Sequence, residues 1–323
     1  MKAAVIYKKG ELPKYAEFAE PIVQNENEVL ISVKAVAITN LDKGIVSGDH
    51  YSSENENQNG TVIGSDAVGI LENGKRVYAR GINGTIAEKV LVEKNRMIPL
   101  PDGISDATAA SMPNAVAGSA MALRFRAGIK PGETVLINGA TGFTGQMAIQ
   151  VAKHYGAKKI IVTGRNEKTL QSLLEIGADE IISLKQDDEA IVAQLKAIHL
   201  NSPIDIVLDY LWGHPAELIL TALKGNGSFT TKVRYVTIGG MAGDTIQLSS
   251  GILRSVDLLL SGSGLGSWTK DEVRLLFTEI LPEMFLLAVQ NKLQVNIEIT
   301  SLVDIEKAWN IEVPDGKRLV VIV

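Results

Sequence analysis

Cysteine is absent from this sequence of 323 residues, which excludes disulfides, thiolate catalysis and any zinc site with cysteine ligands. Neither sign of charge dominates, since 32 Lys and Arg residues face 37 Asp and Glu residues and the net charge is −5. Without a basic stripe, nucleic acid is not an expected partner. No apolar run reaches about 18 residues, the length that a membrane span requires. Residues 1–10 are typical of a strand rather than a signal peptide, and we expect a cytoplasmic protein.

The segment 133–165 predicts a strand, a glycine turn, a helix and a second strand. Thr134–Asn138 is short and apolar, as is typical of a strand buried on both faces, and good helix formers run from Phe143 to Tyr155. A helix N-terminus attracts a diphosphate through its N–H groups and dipole, and glycine allows the ligand to come close. We therefore predict a dinucleotide site, the alternative being a tight strand–helix turn without a ligand. The predicted contacts are Gly139, Ala140, Gly142, Phe143, Thr144 and Gly145.

The residues after the second strand indicate which dinucleotide is bound. A cofactor that lacks the 2′-phosphate is usually met there by Asp or Glu, about 20 residues past the glycines. This chain has Gly164-Arg165-Asn166-Glu167-Lys168, and its two cations favour a phosphate. We predict NADP(H) rather than NAD(H), with Gly164, Arg165 and Lys168 as contacts. The alternative is that both cations are solvated and Glu167 holds the ribose.

Two kinds of pattern divide the chain. Residues 1–100 read as short strands joined by turns, with a polar loop at 51–60. After Arg165, apolar strands alternate with helices, as in a doubly wound parallel sheet, and residues 270–290 predict a long amphipathic helix. The last strand, 318–323, is more like the first domain than the sheet. This pattern predicts a cofactor domain inserted into the first domain.

The chain resembles the medium-chain dehydrogenases/reductases over nearly its full length, in the zinc-independent quinone oxidoreductase branch that includes zeta-crystallin. The segments that carry the resemblance are residues 1–6, 28–31, 64–69, 130–142, 205–209 and 316–320. The resemblance implies an α/β fold with two domains. These are a GroES-like, β-rich catalytic domain at 1–116 plus 295–323, and an inserted Rossmann cofactor domain, a doubly wound parallel sheet, at 117–294.

The resemblance also implies cofactor contacts outside the glycine turn. Lys168 matches a lysine that meets the 2′-phosphate. Strand-end loops beside the ribose and nicotinamide are implied for Asp209, Tyr210, Gly239, Gly240, Ser263 and Leu265, and a contact from the last strand for Lys317 or Arg318. Two positions depart from the family pattern, because Gly118 replaces a threonine near the nicotinamide and Leu184 replaces a tyrosine on the adenosine side.

Zinc-dependent members of this family carry Gly-His-Glu where this chain has Gly64-Ser65-Asp66, so Ser65 replaces a ligating histidine. None of the four histidines is paired at a ligand spacing such as HxxxH. We expect all of them at the surface or in loops, and we expect no metal site. The histidines are His50, His154, His199 and His214.

With neither metal nor cysteine, the cofactor domain favours direct hydride transfer to an electron-poor carbon or a quinone oxygen. Reduction of a quinone or enone develops negative charge on oxygen, which requires a donor or a proton source. Tyr51 resembles a tyrosine that donates a proton in related enoyl-thioester reductases, and Asn40 could donate a hydrogen bond. Asp42 is expected to orient neighbours or to cap a short helix. The alternatives are an exposed loop position for Tyr51 and turn chemistry for Asn40.

Three functions remain open from the sequence. The first is an NADPH-dependent reductase of a small quinone or α,β-unsaturated carbonyl, and the second is an NADPH-binding sensor or structural protein without turnover. The third is a short-chain-type reductase, whose Tyr-x-x-x-Lys motif occurs here only at Tyr155–Lys159, which is the wrong place in the fold. The resemblance further implies a homodimer formed through the apolar edge strand at 256–261.

Overall fold

The structure, a computed structural model, describes residues 1–50, 59–228 and 230–323. Its strands are β1 (Lys2–Ile6), β2 (Lys14–Glu17), β3 (Glu28–Ile38), β4 (Thr61–Val62), β5 (Asp66–Ile70), β6 (Arg76–Gly81), β7 (Lys89–Pro99), β8 (Thr134–Asn138), β9 (Lys159–Gly164), β10 (Glu180–Ser183), β11 (Ile206–Asp209), β12 (Val233–Thr237), β13 (Leu258–Gly262), β14 (Asn296–Ser301) and β15 (Lys317–Ile322). Its α-helices are α1 (Asn40–Ser47), α2 (Asp106–Ser111), α3 (Pro113–Val116), α4 (Phe143–His154), α5 (Glu167–Ser172), α6 (Asp188–Asn201), α7 (Gly213–Leu223), α8 (Ser250–Ser255), α9 (Lys270–Leu275), α10 (Leu281–Val289) and α11 (Ile305–Ala308).

Irregular helical segments extend several of these elements. Two π-helical segments, Ala117–Ala127 and Leu276–Ile280, continue α3 and α9, and a 3-10 turn spans Leu302–Asp304. Within the described ranges, every helix is too short or too polar to cross a membrane.

The chain divides into two compact units. The first unit comprises residues 1–114 and 277–323, and the second comprises residues 115–276, so the second is inserted into the first. The predicted domain ranges differ from these units at residues 115–116 and, over a longer stretch, at 277–294. That segment groups with the first unit, because the rings of Phe277 and Phe285 contact Tyr78 at centroid distances of 6.3 and 5.9 Å.

The second unit is built around a parallel sheet with the strand order β10-β9-β8-β11-β12-β13. The central strand β8 is buried along its whole length and pairs in parallel with β9 and β11. The direction of winding reverses between β8 and β11. In such a sheet a ligand binds outside the carboxyl ends of the strands at this switch point. The predicted doubly wound parallel sheet is confirmed.

The first unit contains two sheets. The larger has the order β14-β15-β3-β5-β6-β7, and it closes because Glu28–Ser32 of β3 also pairs with Lys89–Glu93 of β7. The smaller has the order β2-β1-β4. Inward-facing side chains such as Ile31 and Val33 alternate along the strands and form the core. The predicted GroES-like, β-rich domain is confirmed.

Some predicted elements differ in detail from the observed ones. The predicted short strands of residues 1–100 include β4 and β5, which are separated at Gly64 because this residue has a φ of +99° and a Cβ there would lie 2.5 Å from Thr85 Oγ1. The helix predicted at 270–290 contains a π-helical segment at Leu276–Ile280.

Candidate functional site

The glycine turn that follows β8 is held against the neighbouring strand. The N–H of Gly139 donates to Thr163 Oγ1 at 3.1 Å, and the N–H of Ala140 donates to the Thr163 carbonyl at 2.8 Å. Gly139 has a φ of +86°, a conformation that side chains rarely adopt. The turn therefore leads directly into α4 at the carboxyl edge of the sheet, where the dinucleotide site was predicted.

Two glycines of this turn differ in their surroundings. A Cβ on Gly145 would lie 2.5 Å from the Cα of Ala140, so only glycine allows α4 to come this close to the turn. A Cβ on Gly142 would meet no atom within 4 Å, and no side chain caps α4 at this residue. The turn thus leaves open space at the head of a twelve-residue helix, which fits a diphosphate. Phe143 and Thr144 form the first turn of that helix.

Two cations follow the end of β9. Arg165 and Lys168 are both exposed, and neither forms an ion pair within the part of the chain that the structure describes. Gly164 before them packs against α5, since a Cβ there would lie 3.3 Å from Leu170 Cδ1, and against the glycine turn, where it would lie 2.4 Å from Thr141 Cγ2. The positive charge at this end of the site is therefore not neutralised by described carboxylates.

Lys168 lines a groove of about 460 Å³ beside β10. Two amide side chains in this groove are held by a chain of hydrogen bonds. Gln194 Nε2 donates to Gln186 Oε1 at 2.6 Å, and Gln186 Nε2 donates to the Ser183 carbonyl at 3.0 Å. Glu167, the alternative ribose ligand, lines the same groove. The groove therefore combines one ammonium, one carboxylate and several amides.

A buried polar chain runs across four strands beneath the glycine turn; we call it the Asp209 network. Thr163 of β9 donates to Asn138 Oδ1 at 2.6 Å, Asn138 of β8 donates to Asp209 Oδ1 at 2.7 Å, and Tyr235 of β12 donates to Asp209 Oδ2 at 2.7 Å. All four residues are fully buried. Asp209 also accepts from the N–H groups of two nearby loop residues, Leu211 at 2.9 Å and Trp212 at 3.1 Å. Its carboxylate therefore shapes the loop after β11.

The loops after β11 and β12 are joined by main-chain hydrogen bonds. The Asp209 carbonyl accepts from Ile238 N at 2.7 Å and from Gly239 N at 3.2 Å. A Cβ on Gly239 would lie 2.7 Å from the Tyr210 carbonyl, and one on Gly240 would lie 3.1 Å from the carbonyl of Gly243. The backbone of these loops thus forms one wall at the carboxyl edge of the sheet.

The loop after β13 is held by its own side chains. Ser263 is buried and its hydroxyl accepts from Trp268 Nε1 at 3.0 Å, whereas Leu265 is half-buried. The Ser263 side chain therefore has a structural partner. Beyond this loop, Arg126 at the end of the π-helical segment binds Glu272 of α9 with two hydrogen bonds, at 2.8 and 3.0 Å.

In the first unit, charged and hydroxyl side chains lie together between α1, β5, β6 and β15. We call them the Asp66 cluster, and its members are Asp42, Ser65, Asp66, Tyr78 and Arg318. Ser65 Oγ donates to Asp42 Oδ1 at 2.7 Å, and Tyr78 OH donates to Asp66 Oδ2 at 2.9 Å. The Arg318 side chain comes from β15 and is buried. The cluster therefore brings hydroxyl and carboxyl groups together beside one guanidinium group.

The two carboxyl groups of the Asp66 cluster are unequal. Burial raises the pKa of Asp66 to about 7, and the neighbouring Asp42 charge contributes to the rise, while the Tyr78 hydroxyl and nearby guanidinium groups oppose it. Asp66 as a whole residue is half-buried, so water reaches one part of it. Burial also lowers the pKa of Arg318 to about 10, against the attraction of both carboxylates. The cluster can therefore hold a proton near neutral pH.

The predicted catalytic residues have different surroundings. Asp42 is buried and forms a capping box with Thr39, accepting from the Thr39 N–H at 2.9 Å and from its hydroxyl at 2.6 Å. This matches the expected capping role. Asn40 is exposed at the start of α1, and Tyr51 lies outside the described residues. Lys317, expected to reach the cofactor, is exposed and pairs with Glu298.

The sequence did not single out several residues of these two groups. Asn138 and Thr163 were read only as parts of strands, and Tyr78 carried no local motif. A signal was present for the first two, because each is a polar residue at the carboxyl end of an otherwise apolar strand. Arg318 was predicted only as the alternative to Lys317 for a cofactor contact, although a charged residue near the start of the apolar strand β15 was also a signal for a buried site.

His214 is the histidine to consider as a metal ligand, because it has two carboxylates beside it. Its Nε2 lies 3.0 Å from Asp188 Oδ2, and its Nδ1 lies 3.4 Å from Glu217 Oε2. Across residues 1–50, 59–228 and 230–323, no group of three or more His, Asp or Glu side chains is arranged to hold a metal ion.

Comparisons with known proteins agree with this geometry. A family model described as zinc-binding dehydrogenase matches residues 144–280. A probable NADPH-dependent quinone reductase, tdiC of Emericella nidulans, is 24% identical, and the match covers 96% of each chain. The solved quinone oxidoreductase of Thermus thermophilus, also studied as its NADPH complex, is 26% identical with a TM-score of 0.78, and the match covers all of both chains.

A mycobacterial protein, the mycocerosic acid synthase-like polyketide synthase of Mycobacterium tuberculosis, matches at 30% identity over 69% of this chain. The chain spans only 11% of that protein's length, so the match concerns one segment of a much larger enzyme.

The inserted parallel sheet, its glycine turn and the closed β-rich unit define a two-domain, dinucleotide-dependent oxidoreductase. The family model and the full-length matches support the medium-chain dehydrogenase/reductase family, in its zinc-independent quinone oxidoreductase branch.

Proposed function

We propose that this protein is an NADPH-dependent oxidoreductase that transfers hydride to a quinone or an α,β-unsaturated carbonyl compound without a metal. The observation that carries the proposal is the open space at Gly142, at the head of α4 and at the switch point of the parallel sheet. Two of the relatives named above, tdiC and the Thermus thermophilus protein, are described by name as quinone reductases or oxidoreductases that use or bind NADPH.

The preference for NADPH rests on Arg165 and Lys168. Both cations lie past the end of β9, where the ribose that carries the 2′-phosphate binds in this fold. A guanidinium can hold a phosphate through two hydrogen bonds, whereas a bare ribose hydroxyl gains little from it. When bound, NADPH would supply the hydride, while the glycine turn would hold its diphosphate.

Hydride transfer to an enone or quinone leaves an oxygen or carbon that must take up a proton. Tyr51 remains our proposed proton donor and Asn40 our proposed hydrogen-bond donor to the developing oxyanion. Asp42 is proposed to position Ser65, since its carboxylate already accepts from Thr39 and Ser65. Because burial raises its pKa to about 7, Asp66 is a further group in this cluster that can hold a proton near neutral pH.

A binding titration tests the cofactor assignment. NADPH and NADH are titrated into wild type, Arg165→Ala, Lys168→Ala and Glu167→Gln by following cofactor fluorescence. Losing a charge-assisted phosphate contact should weaken NADPH binding about 10- to 100-fold and leave NADH binding unchanged. Lys196→Ala, an exposed lysine in the middle of α6, is the matched control and should bind as wild type.

Two results would overturn the assignment. One result is that NADH binds as tightly as NADPH and that, among the three site variants, Glu167→Gln alone weakens NADH binding. Glu167 would then hold the ribose, and the two cations would be solvated. If neither cofactor binds, the oxidoreductase proposal fails. Tight NADPH binding without turnover on a panel of quinones and enals would instead favour a sensor or structural role.

We also propose a homodimer and a cytoplasmic location. The strand β13 forms one edge of the parallel sheet and exposes Leu259, and an apolar sheet edge can pair with a second copy. Light scattering at several concentrations tests the dimer, and a monomer throughout would remove the idea.

A further inference from the structure

Tyr210, the first residue after β11, has a phenolic hydroxyl without a partner. The side chain is 8% exposed, and its oxygen is buried and forms no hydrogen bond with any described group. Buried hydroxyls are nearly always paired, and an unpaired one costs about 1–3 kcal/mol. Such a group in a native structure requires an explanation, and a ligand that arrives later is one.

The loop that carries Tyr210 is fixed from several sides. The Tyr210 N–H donates to the Asn138 carbonyl at 3.1 Å, and its carbonyl accepts from Met241 N at 3.4 Å. Two residues later, Trp212 has a φ of +53°, which is an outlier for a bulky residue. The Asp209 carboxylate holds Trp212 N in place at 3.1 Å. The backbone beside Tyr210 is therefore strained and over-determined, as is common at ligand sites.

The ring of Tyr210 lies beside a gap. A Cβ on Gly118, in the π-helical segment, would lie 3.9 Å from Tyr210 Cε1, 3.5 Å from Thr144 Cγ2 and 3.7 Å from Ile238 Cγ2. These are ordinary contact distances, so Gly118 leaves room for about one methyl group among three side chains. Thr144 belongs to the first turn of α4, and Ile238 follows β12. The gap thus adjoins the head of α4.

The position in the sheet indicates which part of a dinucleotide would reach Tyr210. A dinucleotide crosses the carboxyl edge with its diphosphate at the glycine turn after the first strand. The cations Arg165 and Lys168 place the adenosine half on the β9 side. The nicotinamide half would then lie on the side of β11 and β12, where Tyr210 and Ile238 are found.

We propose that the Tyr210 hydroxyl is a hydrogen-bond donor to the nicotinamide half of the bound dinucleotide, with the nicotinamide amide oxygen or a hydroxyl of the adjoining ribose as acceptor. This inference rests on the proposed function and assigns one specific contact within it. Burial is the cause that raises the pKa of Tyr210, so the phenol remains protonated and able to donate throughout the working pH range.

The test compares Tyr210→Phe with wild type in two ligands and in thermal unfolding without ligand. Tyr210→Phe should bind NADPH roughly 2- to 12-fold more weakly, the range that one neutral hydrogen bond is worth. It should bind adenosine 2′,5′-bisphosphate, which lacks the nicotinamide half, as wild type does. Its Tm without ligand should be equal to or higher than that of wild type, because the variant removes an unpaired buried hydroxyl.

A further variant sharpens the test. Tyr235→Phe also removes a buried phenol, but one that donates to Asp209, so it should lower the Tm. The loss of NADPH affinity together with an unchanged or raised Tm is a result that a merely structural tyrosine would not give.

The results separate this inference from the proposed function. If wild type binds NADPH and Tyr210→Phe binds it equally well, the Tyr210 contact is wrong and the proposed function stands. If Tyr210→Phe weakens both ligands equally, the contact is not with the nicotinamide half and the inference is overturned. If wild type binds adenosine 2′,5′-bisphosphate but not NADPH, or neither ligand, the proposed function and this inference fail together.

Discussion

Each unit contains a polar group of residues with a carboxylate at its centre, and the two are stabilised in different ways. In the second unit, Asp209 is fully buried and receives four hydrogen bonds, from Asn138, Tyr235 and two backbone N–H groups. In the first unit, the side-chain donor to Asp66 among the described residues is the phenol of Tyr78, and Asp42 repels the Asp66 charge.

The two carboxylates differ both in the hydrogen bonds that they accept and in the charge that lies beside them. Hydrogen bonds to a carboxylate favour its ionised form, while burial and a second negative charge disfavour it. Asp209 is supplied with donors from two neighbouring strands and its own loop, which suits a fixed structural role. Asp66 is attracted by the guanidinium groups of Arg80 and Arg318, the second of which also attracts Asp42, and its protonation can change near neutral pH.

The largest expected effect on the free energy of unfolding comes from removing the Asp209 carboxylate, which accepts more hydrogen bonds than that of Asp66. Asp209→Ala should lower the free energy of unfolding by about 3–5 kcal/mol, because it leaves four buried donors without an acceptor. Urea unfolding measures this loss. Asp209→Asn keeps one acceptor oxygen in place and should lose only about 1–2 kcal/mol. Equal losses for the two variants would mean that the charge, and not the geometry of its donors, matters most.

The second prediction concerns the pH dependence of the first unit. The pKa of Asp66 is about 7 in the folded protein and 3.8 as its ordinary value, so the folded state binds the proton more tightly. Asp66 therefore contributes stability that is fully present below pH 3.8 and is lost as the pH rises through about 7. We expect unfolding free energy to fall by at most about 1.4 kcal/mol per pH unit from this group.

Asp66→Asn should remove that part of the pH slope. Urea unfolding at pH values from about 4 to about 8, which spans the ordinary and the raised pKa of Asp66, compares the variant with wild type. The difference between them should grow in favour of the variant up to about pH 7 and then level off. Parallel curves across this range would show that Asp66 titrates normally and that the contrast between the two carboxylates is wrong.

The third prediction sharpens the role of the second unit by comparing two glycines of one turn. Gly145→Ala should lower the unfolding free energy by about 1–3 kcal/mol, since its Cβ would lie 2.5 Å from Ala140 Cα. Gly142→Ala should leave stability nearly unchanged, because it meets no atom within 4 Å. It should nevertheless weaken NADPH binding. A stability loss at Gly142 equal to that at Gly145 would show that the turn is merely packed and has no open space.

The smallest effect is expected at the far end of the Asp209 network. Thr163→Val keeps the shape of the side chain but removes the hydroxyl that donates to Asn138 and accepts from Gly139 N. Its unfolding free energy should fall by about 1 kcal/mol. Thr169→Val in α5 serves as the matched control, and a loss there as large as at Thr163 would argue against a special role for the network.

The sequence predicted the parts of the site whose spacing is local. The strand, the glycine turn and α4 are consecutive in the chain, so the periodicity and glycine positions could be read directly. The Asp209 network joins residues 25 and 71 positions apart, and it depends on which strands are neighbours. Parallel register brings Asn138 opposite Asp209, a fact that no short motif expresses.

The Asp66 cluster was harder to predict for the same reason. Arg318 meets residues that lie far earlier in the chain, such as Ile38 at a separation of 280 positions, and its burial follows from the pairing of β15 with β3. The capping role of Asp42 was predicted because a capping box is a short local pattern. Whether a buried carboxyl keeps its proton depends on all of its neighbours, and only the folded arrangement supplies them.

The insertion of one unit into the other sets an order for biosynthesis. Strand β3 finds its partner β15 only after the whole of the inserted unit has been made. The inserted unit is continuous in the chain and is complete at residue 276. It can therefore fold on the ribosome before the first unit has all of its strands. Until β15 emerges, β3 presents one open edge. We therefore expect nascent chains stalled before residue 317 to recruit chaperones or to aggregate through the first unit, and not through the cofactor-binding one.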